Sequence, residues 1–312
     1  MHSQHECDRL ELQARIAGIE DHIQYLRIPG RANILDAGCG SGSMARLLAS
    51  RHPDATVTGF DLNGGYLDYA RRIAANEGLA NITFREGDIQ ALPFADASFD
   101  LIWSKHVLFF VPRIEDALRE FRRTIRPGGS VVIALEHWPG IVLDPRDPEL
   151  RKTLLQVLEG LADISITTRL VTMLMQAGFV DLSVKMDASR PYTVIGSIDS
   201  DRRSSHATEM DAARQYVAQV LGSEAACDAF YDAWFGYLDR ADTCTVLPIW
   251  FFGGTAPISG KWFGFRMSET GRMGPRSSKR AKNCSAPDRM VVRAFRCWRP
   301  GRLVPIRPLW SP

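Results

Sequence analysis

Short apolar segments alternate with amphipathic segments along most of the chain, and this alternation constrains the fold more than any other feature. In the amphipathic segments apolar residues recur at spacings of three and four, which is typical of helices that pack one face on a core. Strands separated by helical crossovers usually pair in parallel. The pattern therefore predicts an α/β, doubly wound fold with a mainly parallel seven-stranded sheet. The predicted strands are Asn33–Ala37, Thr56–Asp61, Ile82–Glu86, Phe99–Ser104, Ser130–Glu136, Val180–Lys185 and Cys244–Phe252.

The predicted helices include two that stand between the sixth and the last strand. The apolar spacing of this pair indicates a helical insertion over roughly residues 200–240, which we interpret as a lid. The predicted helices are Asp8–Leu26, Ser43–Ser50, Gly65–Ala75, Ile114–Ile125, Glu149–Ala162, Thr168–Ala177, Thr208–Leu221 and Glu224–Leu238.

Composition excludes several classes of protein. Of the 312 residues, 45% are hydrophobic and 24% are charged, an ordinary globular balance. No run approaches the roughly 18 apolar residues of a membrane-spanning helix, and the polar N-terminal segment does not resemble a secretion signal. The six cysteines are scattered without a CxxC pair, so we expect a cytoplasmic protein with no disulfide framework and no metal site. On a terminus expected to fray, His2, His5 and Cys7 are not predicted to bind metal.

Charge divides the chain into two parts. Residues 258–312 carry a net charge of +11 and residues 1–257 a net charge of −9. The basic part has six prolines and no helical or strand periodicity, so we predict a disordered tail or a sequence of out-of-frame origin. The alternative is a basic arm that binds nucleic acid, with Trp262, Trp298 and Trp310 available for stacking.

A glycine-rich run follows the first predicted strand. Within ILDAGCGSG, the three glycines Gly38, Gly40 and Gly42 allow a tight turn and the close approach of a ligand. The next helix offers free N–H groups and a partial positive charge at its N-terminus. About 20 residues further on, Asp61 ends the second strand, where a carboxylate can accept both hydroxyls of a ribose. The arrangement predicts a site for a nucleoside-type cofactor.

The glycine spacing excludes two common cofactor loops. A dinucleotide-binding loop has a glycine or alanine three residues after its second glycine, where this chain has Ser43. A Walker loop requires Gly-Lys-Ser/Thr, which is absent.

Together, the motifs resemble those of the class I S-adenosylmethionine-dependent methyltransferases, in particular the small-molecule branch that includes ubiquinone and menaquinone methylases and many natural-product methyltransferases. The resemblance is carried by LDAGCGSG, FDLN, GDIQALPF, SFDLIWSKHVLFFV and RTIRPGG. It implies a Rossmann-like methyltransferase domain over residues 1–257, S-adenosyl-L-methionine as cofactor, and methyl transfer to O, C or N of a small, planar or apolar metabolite. The alternatives are an RNA methyltransferase that uses the basic tail, and a cofactor-binding protein without catalysis.

The resemblance also implies roles for single residues. Asp36 and Gly38 would hold the methionine end of the cofactor, and Asp61 its ribose, with Leu62 against the adenine. The structural alternative for Asp36 is that it caps a turn.

Three further residues complete the implied cofactor site. Asp88 would accept a hydrogen bond from the adenine amine, and Ile89 would donate its backbone N–H to the ring. Ser104 would lie near the transferring methyl group. Alternatively, Asp88 caps a turn and Ser104 satisfies the end of its strand.

A sulfonium is already a strong electrophile, so any catalytic residue would be a base that takes a proton from the acceptor. His106 and His137 follow the fourth and fifth strands and are the candidates; the alternative is that they only begin a helix and line a loop. Members of the resembled family that methylate amino groups of nucleic acids carry an Asn/Asp/Ser-Pro-Pro-aromatic motif after the fourth strand. This chain has Ser104-Lys105-His106-Val107 there, so nucleic acid is not expected as the acceptor. Nearby aromatic residues could wall a small-molecule site: Tyr25, Trp103, Phe109, Phe110 and Trp138.

Overall fold

The computed structural model describes residues 3–187 and 193–258, which belong to one compact unit. The predicted tail from residue 259 onward, and His2, lie outside the described residues. None of the described helices is long and apolar enough to cross a membrane.

A seven-stranded sheet lies at the centre. Its strands are β1 (Asn33–Ala37), β2 (Thr56–Asp61), β3 (Ile82–Glu86), β4 (Phe99–Lys105), β5 (Ile125–Glu136), β6 (Val180–Asp187) and β9 (Ile249–Thr255). The order across the sheet is β3-β2-β1-β4-β5-β9-β6. The first five strands pair in parallel, and β9 runs antiparallel to both of its neighbours. The predicted α/β fold with a mainly parallel seven-stranded sheet is confirmed.

Helices connect the strands and cover both faces of the sheet. They are α1 (Ser3–Ile16), α2 (Ile19–His22), α3 (Ser43–Arg51), α4 (Gly64–Asn76), α5 (Ile114–Thr124), α6 (Pro148–Leu161), α7 (Ile166–Gln176), α8 (Ser200–Leu221) and α9 (Glu224–Leu238). One core cluster joins the sheet to α5 and α7, and the other joins it to α3. Side chains of β4 alternate between them, with Ile102 in the first cluster and Trp103 in the second.

The predicted helical insertion is present between β6 and β9. Two short strands, β7 (Thr193–Ile195) and β8 (Cys244–Val246), pair antiparallel at its ends. Helices α6, α8 and α9 share a third apolar core, which includes Phe230, Trp234 and Tyr237. We call this part the cap, and these three aromatic residues are packing groups within it.

Two predicted elements are divided in the structure. The helix expected over Asp8–Leu26 ends at Ile16, because Gly18 adopts a left-handed conformation with φ of 57° before α2 begins. The strand expected over Cys244–Phe252 is divided into β8 and β9 around Pro248, which has no N–H to donate to a sheet. Both interruptions follow from backbone chemistry that apolar periodicity does not record.

Candidate active site

The glycine-rich loop between β1 and α3 folds as the sequence predicts. Gly38, Gly40 and Gly42 all have positive φ, at 80°, 53° and 78°. The N–H groups of Gly38 and Cys39 donate to the Phe60 carbonyl at 2.7 and 3.0 Å, which fastens the loop to β2. A Cβ on Gly38 would lie 2.1 Å from Val107 Cγ2, so this position has no space for a side chain.

Asp61 turns its carboxylate toward this loop. One oxygen accepts the Gly40 N–H at 2.8 Å, and the other accepts the Asn63 N–H at 2.9 Å. The next residue, Leu62, is 72% exposed. A carboxylate and an exposed apolar side chain therefore stand together at the carboxyl edge of the sheet, one beside the loop and one facing outward.

Asp36 is a buried carboxylate with an unpartnered oxygen. Its residue is 2% exposed, and Oδ2 has no hydrogen-bond partner among the described residues. Burial, and then the negative charge of Asp61, raise the pKa of Asp36 to about 7, while a hydrogen bond from the Ala45 N–H opposes the rise. A buried acceptor without a donor is costly, so this oxygen suits a ligand that brings a cation or an N–H group.

Helix α1 lies over the glycine-rich loop. The position of a Cβ on Gly40 would be 3.3 Å from Leu10 Cδ1. Glu11 accepts hydrogen bonds from the Ser43 hydroxyl and from Arg46 Nη2, both at 2.8 Å. The buried Arg46 also donates to the Ser41 carbonyl at 2.7 Å. These contacts hold α1 against the N-terminus of α3 and cover the loop.

Open surface cavities lie elsewhere. One, of about 440 Å³, is lined by residues that include Glu20 and His52; another, of about 430 Å³, is lined by residues that include Thr58 and Phe94. Both are at the amino edge of the parallel strands, opposite to Asp36 and Asp61. The polar groups with ligand chemistry lie instead around the glycine-rich loop beneath α1, next to Asp36 and Asp61, and we call this region the crevice.

The ends of β4 and β5 bring ionisable side chains together next to this crevice. His106 Nε2 is 3.6 Å from Glu136 Oε1, and the two side chains are 20% and 17% exposed. His106 Nε2 is buried and has no hydrogen-bond partner within the described part of the chain. His106 has a positive φ of 58°, an uncommon conformation for a residue with a side chain, while its N–H donates to the Ala134 carbonyl at 3.0 Å.

Burial shifts the pKa of each group at these strand ends. It lowers the pKa of His106 well below its ordinary value, and the neighbouring Lys105 charge adds to this effect. It raises the pKa of Glu136 to about 7 and lowers that of Lys105 to about 8. At neutral pH the imidazole is therefore a neutral base, next to a lysine that is still largely protonated.

Comparison with known families gives this site its context. Residues 35–133, from β1 to β5, match the family described as a methyltransferase domain. This part of the chain is therefore a methyltransferase domain of that family.

Curated relatives of the methyltransferase domain have varied names. The methyltransferase GfsG of Streptomyces halstedii is 37% identical over 37% of this chain and 41% of its own. A malonyl-[acyl-carrier protein] O-methyltransferase of Erwinia pyrifoliae is 44% identical over 34% of this chain and 38% of its own. A sterol 24-C-methyltransferase of Aspergillus fumigatus is 30% identical over 60% of this chain and 51% of its own. The chain thus spans about two fifths to one half of the length of these relatives.

Solved structures share the fold over more of the chain. The [4+2]-cyclase SpnF aligns with a TM-score of 0.54 at 21% identity, covering 79% of this chain and 82% of its own. The YcgJ protein of Bacillus subtilis aligns with a TM-score of 0.52 at 18% identity, covering 79% and 99%. These likenesses show the fold of the methyltransferase domain and nothing further about its reaction.

The remaining predicted cofactor residues have structural partners in the methyltransferase domain. Asp88 Oδ1 accepts the Gln90 N–H at 2.8 Å and so caps a short turn, while Ile89 is buried. Ser104 is fully buried and donates its hydroxyl to the Ala37 carbonyl at 2.9 Å, which joins β4 to β1. The structural alternatives considered for Asp88 and Ser104 are therefore present, and their cofactor roles stay predictions.

His137 is held apart from His106. Its Nδ1 lies 2.8 Å from the Thr167 hydroxyl, and its ring stacks on Trp250 with 4.2 Å between ring centroids. Burial lowers the pKa of His137. With a hydroxyl and an indole as neighbours, His137 is firmly oriented, and the role of a base stays a prediction for both histidines.

The predicted aromatic wall is dispersed. Trp103 and Phe109 are buried in the core clusters, and Phe110 is 70% exposed. Tyr25 stacks on Phe251 with 3.9 Å between ring centroids. Trp138 is the member that stands next to the ionisable groups, since it packs between the sheet core and the cap core.

Sequence reasoning missed three residues of this site. Lys105 and Glu136 end β4 and β5, and the charge of Arg9 on α1 acts on both His106 and Glu136. A signal for the first two was available: a charged residue that ends an otherwise apolar strand at the carboxyl edge is the same signal that identified Asp61. Arg9 has no such signal, because only the folded chain brings α1 to this edge. No described group of three or more His, Cys, Asp or Glu residues could hold a metal ion.

Proposed function

We propose that the protein transfers the methyl group of S-adenosylmethionine to a small-molecule acceptor. The observation that carries the proposal is the pairing of Asp61, aimed at the glycine-rich loop, with the buried and unpartnered oxygen of Asp36. The first suits ribose hydroxyls, and the second suits an ammonium group. Both groups are present in one cofactor, and the methyltransferase domain match covers the strands that carry them.

The described residues fit this cofactor from end to end. Asp36 and the loop of Gly38, Gly40 and Gly42 would bind its methionine part, and Asp61 its ribose. Leu62, which is exposed, would pack on the adenine, and Asp88 and Ile89 would meet the edge of that ring. Ser104 would lie near the transferring methyl group. When bound, S-adenosylmethionine supplies a methyl group on a sulfonium, which needs no acid to leave.

The protein's own contribution is then alignment, exclusion of water and proton removal. Helix α1 covers the loop and would exclude water from the cofactor. His106, a neutral base with a free nitrogen, would take a proton from the acceptor; His137 is the second candidate for this role. A small-molecule acceptor is favoured by relatives that are named as acyl-carrier-protein O-methyltransferase and sterol C-methyltransferase.

Titration calorimetry with S-adenosylmethionine and S-adenosylhomocysteine tests the cofactor assignment. We expect saturable binding of both, and no heat of binding from either ligand would refute it. Incubation with labelled S-adenosylmethionine and fractionated cell extract tests the reaction. Label in the small-molecule fraction supports the proposal, label in the RNA fraction favours an RNA methyltransferase, and binding without transfer leaves a cofactor-binding protein. If label enters RNA, a chain that ends at Pro257 tests the role of the basic tail. This shortened chain should lose a salt-dependent affinity for RNA if the tail binds RNA.

A further inference from the structure

We propose that Lys105, His106 and Glu136 form an acceptor-activating cluster for an ionisable hydroxyl group, so that the protein is an O-methyltransferase. The inference rests on the proposed function. In this cluster His106 Nε2 removes the hydroxyl proton, Lys105 stabilises the resulting oxygen anion, and Glu136 positions His106 and stabilises its protonated ring. His106 is the catalytic residue, and Glu136 is a positioning residue.

Geometry is the first support. His106 directly follows β4 and Glu136 ends the adjacent parallel strand β5, and their facing atoms are 3.6 Å apart. This distance is too long for a good hydrogen bond and short enough for an ion pair once the ring is protonated. His106 Nε2 is buried and has no other partner within the described chain, so its hydrogen-bonding capacity is left for a ligand.

The charge of Lys105 argues for oxygen over nitrogen as the methylated atom. An amine gains positive charge when it is methylated, and a buried ammonium close by opposes that charge. A hydroxyl that loses its proton becomes negative, and the same ammonium stabilises it. Within the described chain Lys105 makes no ion pair shorter than 4.0 Å, although the charges of Glu136 and Asp36 act on it, so its charge is not already consumed by a direct partner.

Acidic groups on the neighbouring elements outnumber basic groups around the cluster. The titratable and charged groups that face it are Glu6 and Arg9 on α1, His22 on α2, Asp36 on β1, and His206 and Glu209 on α8. Glu6 is bound to Arg9 at 2.6 Å. The surroundings therefore carry no excess of positive charge that would attract an anionic acceptor. This favours an acceptor whose hydroxyl group is still neutral when it binds.

The step balances in atoms and charge. The acceptor O–H bond breaks and its proton moves to His106 Nε2, while the oxygen forms a bond to the methyl carbon. The methyl–sulfur bond breaks with its electron pair left on sulfur, so the positive charge of the sulfonium ends on the imidazolium beside Glu136. No oxidant, reductant or metal is needed.

The test uses the rate at which label moves from S-adenosylmethionine into the small-molecule extract, with the purified full chain. His106→Asn should slow transfer by about 100-fold or more, as expected for loss of a general base, and Lys105→Met by about 10-fold. The His106→Asn rate should recover as pH rises, because hydroxide then ionises the acceptor. His52→Asn, at the far end of α3, is the matched control and should transfer label at the original rate.

Glu136 is tested through its dependence on His106. Glu136→Gln should slow transfer about 10-fold in the original chain and have no further effect in His106→Asn, since a positioning residue acts only through the base. An independent, additive effect overturns its assigned role.

Product chemistry tests the acceptor class. O-methylated products should extract into organic solvent at both acid and alkaline pH, whereas methylated amines extract only at alkaline pH or remain in water. Label confined to amines overturns the inference and leaves the proposed methyltransferase function intact. If the original chain fails to bind S-adenosylhomocysteine or to transfer label, the proposed function itself has failed.

Discussion

The two ends of the crevice are built from different groups. At the Asp61 end, both carboxylate oxygens already accept backbone N–H groups, and the loop is shaped by glycine conformation. At the His106 end, ionisable side chains are buried and His106 Nε2 has no hydrogen-bond partner among the described residues. The first end is formed by the backbone and is therefore a property of the fold. The second is formed by side chains and therefore depends on the identity of each residue.

This difference indicates where chemical specificity resides. A site made of satisfied backbone contacts binds whatever fits its shape and can be shared by many proteins of one fold. Buried groups with incomplete partners cost stability, and proteins keep such groups mainly where a ligand will complete them. Asp36 lies between the two ends, since its carboxylate is half satisfied by the backbone.

The largest effect should come from the backbone-built end. In Gly38→Ala, a methyl group would meet the Val107 side chain at 2.1 Å and φ would remain near 80°, so the free energy of unfolding should fall by about 3 kcal/mol or more. Gly78→Ala is the matched control: φ is 69° and no atom lies within 4 Å of the new Cβ, so strain alone should cost about 1 kcal/mol. Equal losses in urea unfolding would show that the contact with Val107 is not needed.

Removal of the Asp61 carboxylate should weaken cofactor binding. Asp61→Ala should lose about 2–3 kcal/mol of affinity for S-adenosylhomocysteine, because two charge-assisted hydrogen bonds to the ribose would be missing. Titration calorimetry measures this loss, and Asp68→Ala, an exposed carboxylate on α4, is the control. Unchanged affinity would mean that the ribose binds elsewhere. The Asp61 end of the crevice would then not be the cofactor-binding end.

Loss of the Arg46 contacts that hold α1 against α3 should lower the free energy of unfolding by a smaller amount. Arg46→Met removes the donor to one Glu11 oxygen and to the Ser41 carbonyl, and also the ion pair with Glu77, so the free energy of unfolding should fall by about 1–2 kcal/mol. Arg51→Met removes an exposed ion pair with Glu20 from the same helix and should cost less than about 0.5 kcal/mol. If the two variants unfold alike in urea, α1 is not fastened through Arg46.

Asp36 should make the stability of the fold depend on pH. The pKa of this buried carboxyl is raised to about 7 from an ordinary value of 3.8, so the folded state holds a proton that the unfolded state releases between these values. Stability should therefore fall as pH rises from about 4 to 7, and Asp36→Asn should remove that part of the fall. Glu136, whose pKa is also raised to about 7, is present in both proteins and cancels in the comparison. A difference in unfolding free energy that is the same at pH 4 and pH 8 would contradict the prediction.

Most of the sheet could be predicted because its strands are short, apolar and bounded by turn residues. The parallel strands β1 to β5 begin and end close to the predicted positions, except that β5 begins earlier, at Ile125, and includes Pro127 and two glycines. That extension depends on pairing with β4 and β9, which is a tertiary effect. The pairing of β7 with β8 was missed for the same reason, since three-residue strands have no periodicity to detect.

The site was predictable where its chemistry depends on position along a strand. Asp61 and the three glycines were identified from spacing alone, and the structure brings them together. Glu136 was not identified as the partner of His106, because the two residues are distant in sequence. Only the adjacent strand ends of the folded sheet bring their side chains within 3.6 Å. The hydrogen bond between Ser104 and Ala37 was foreseen only as an alternative, since buried hydroxyls serve strands and ligands alike.

The position of β9 has a consequence for synthesis of the protein. This strand lies between β5 and β6, yet it follows the whole cap in sequence. Until β9 leaves the ribosome, β6 has no partner in the sheet, and Val184 and Met186 on that strand are exposed even in the finished fold. At ordinary translation rates the roughly 60 intervening residues take about 3–12 s to make. A cell that produces this protein must protect one unpaired apolar strand for that interval.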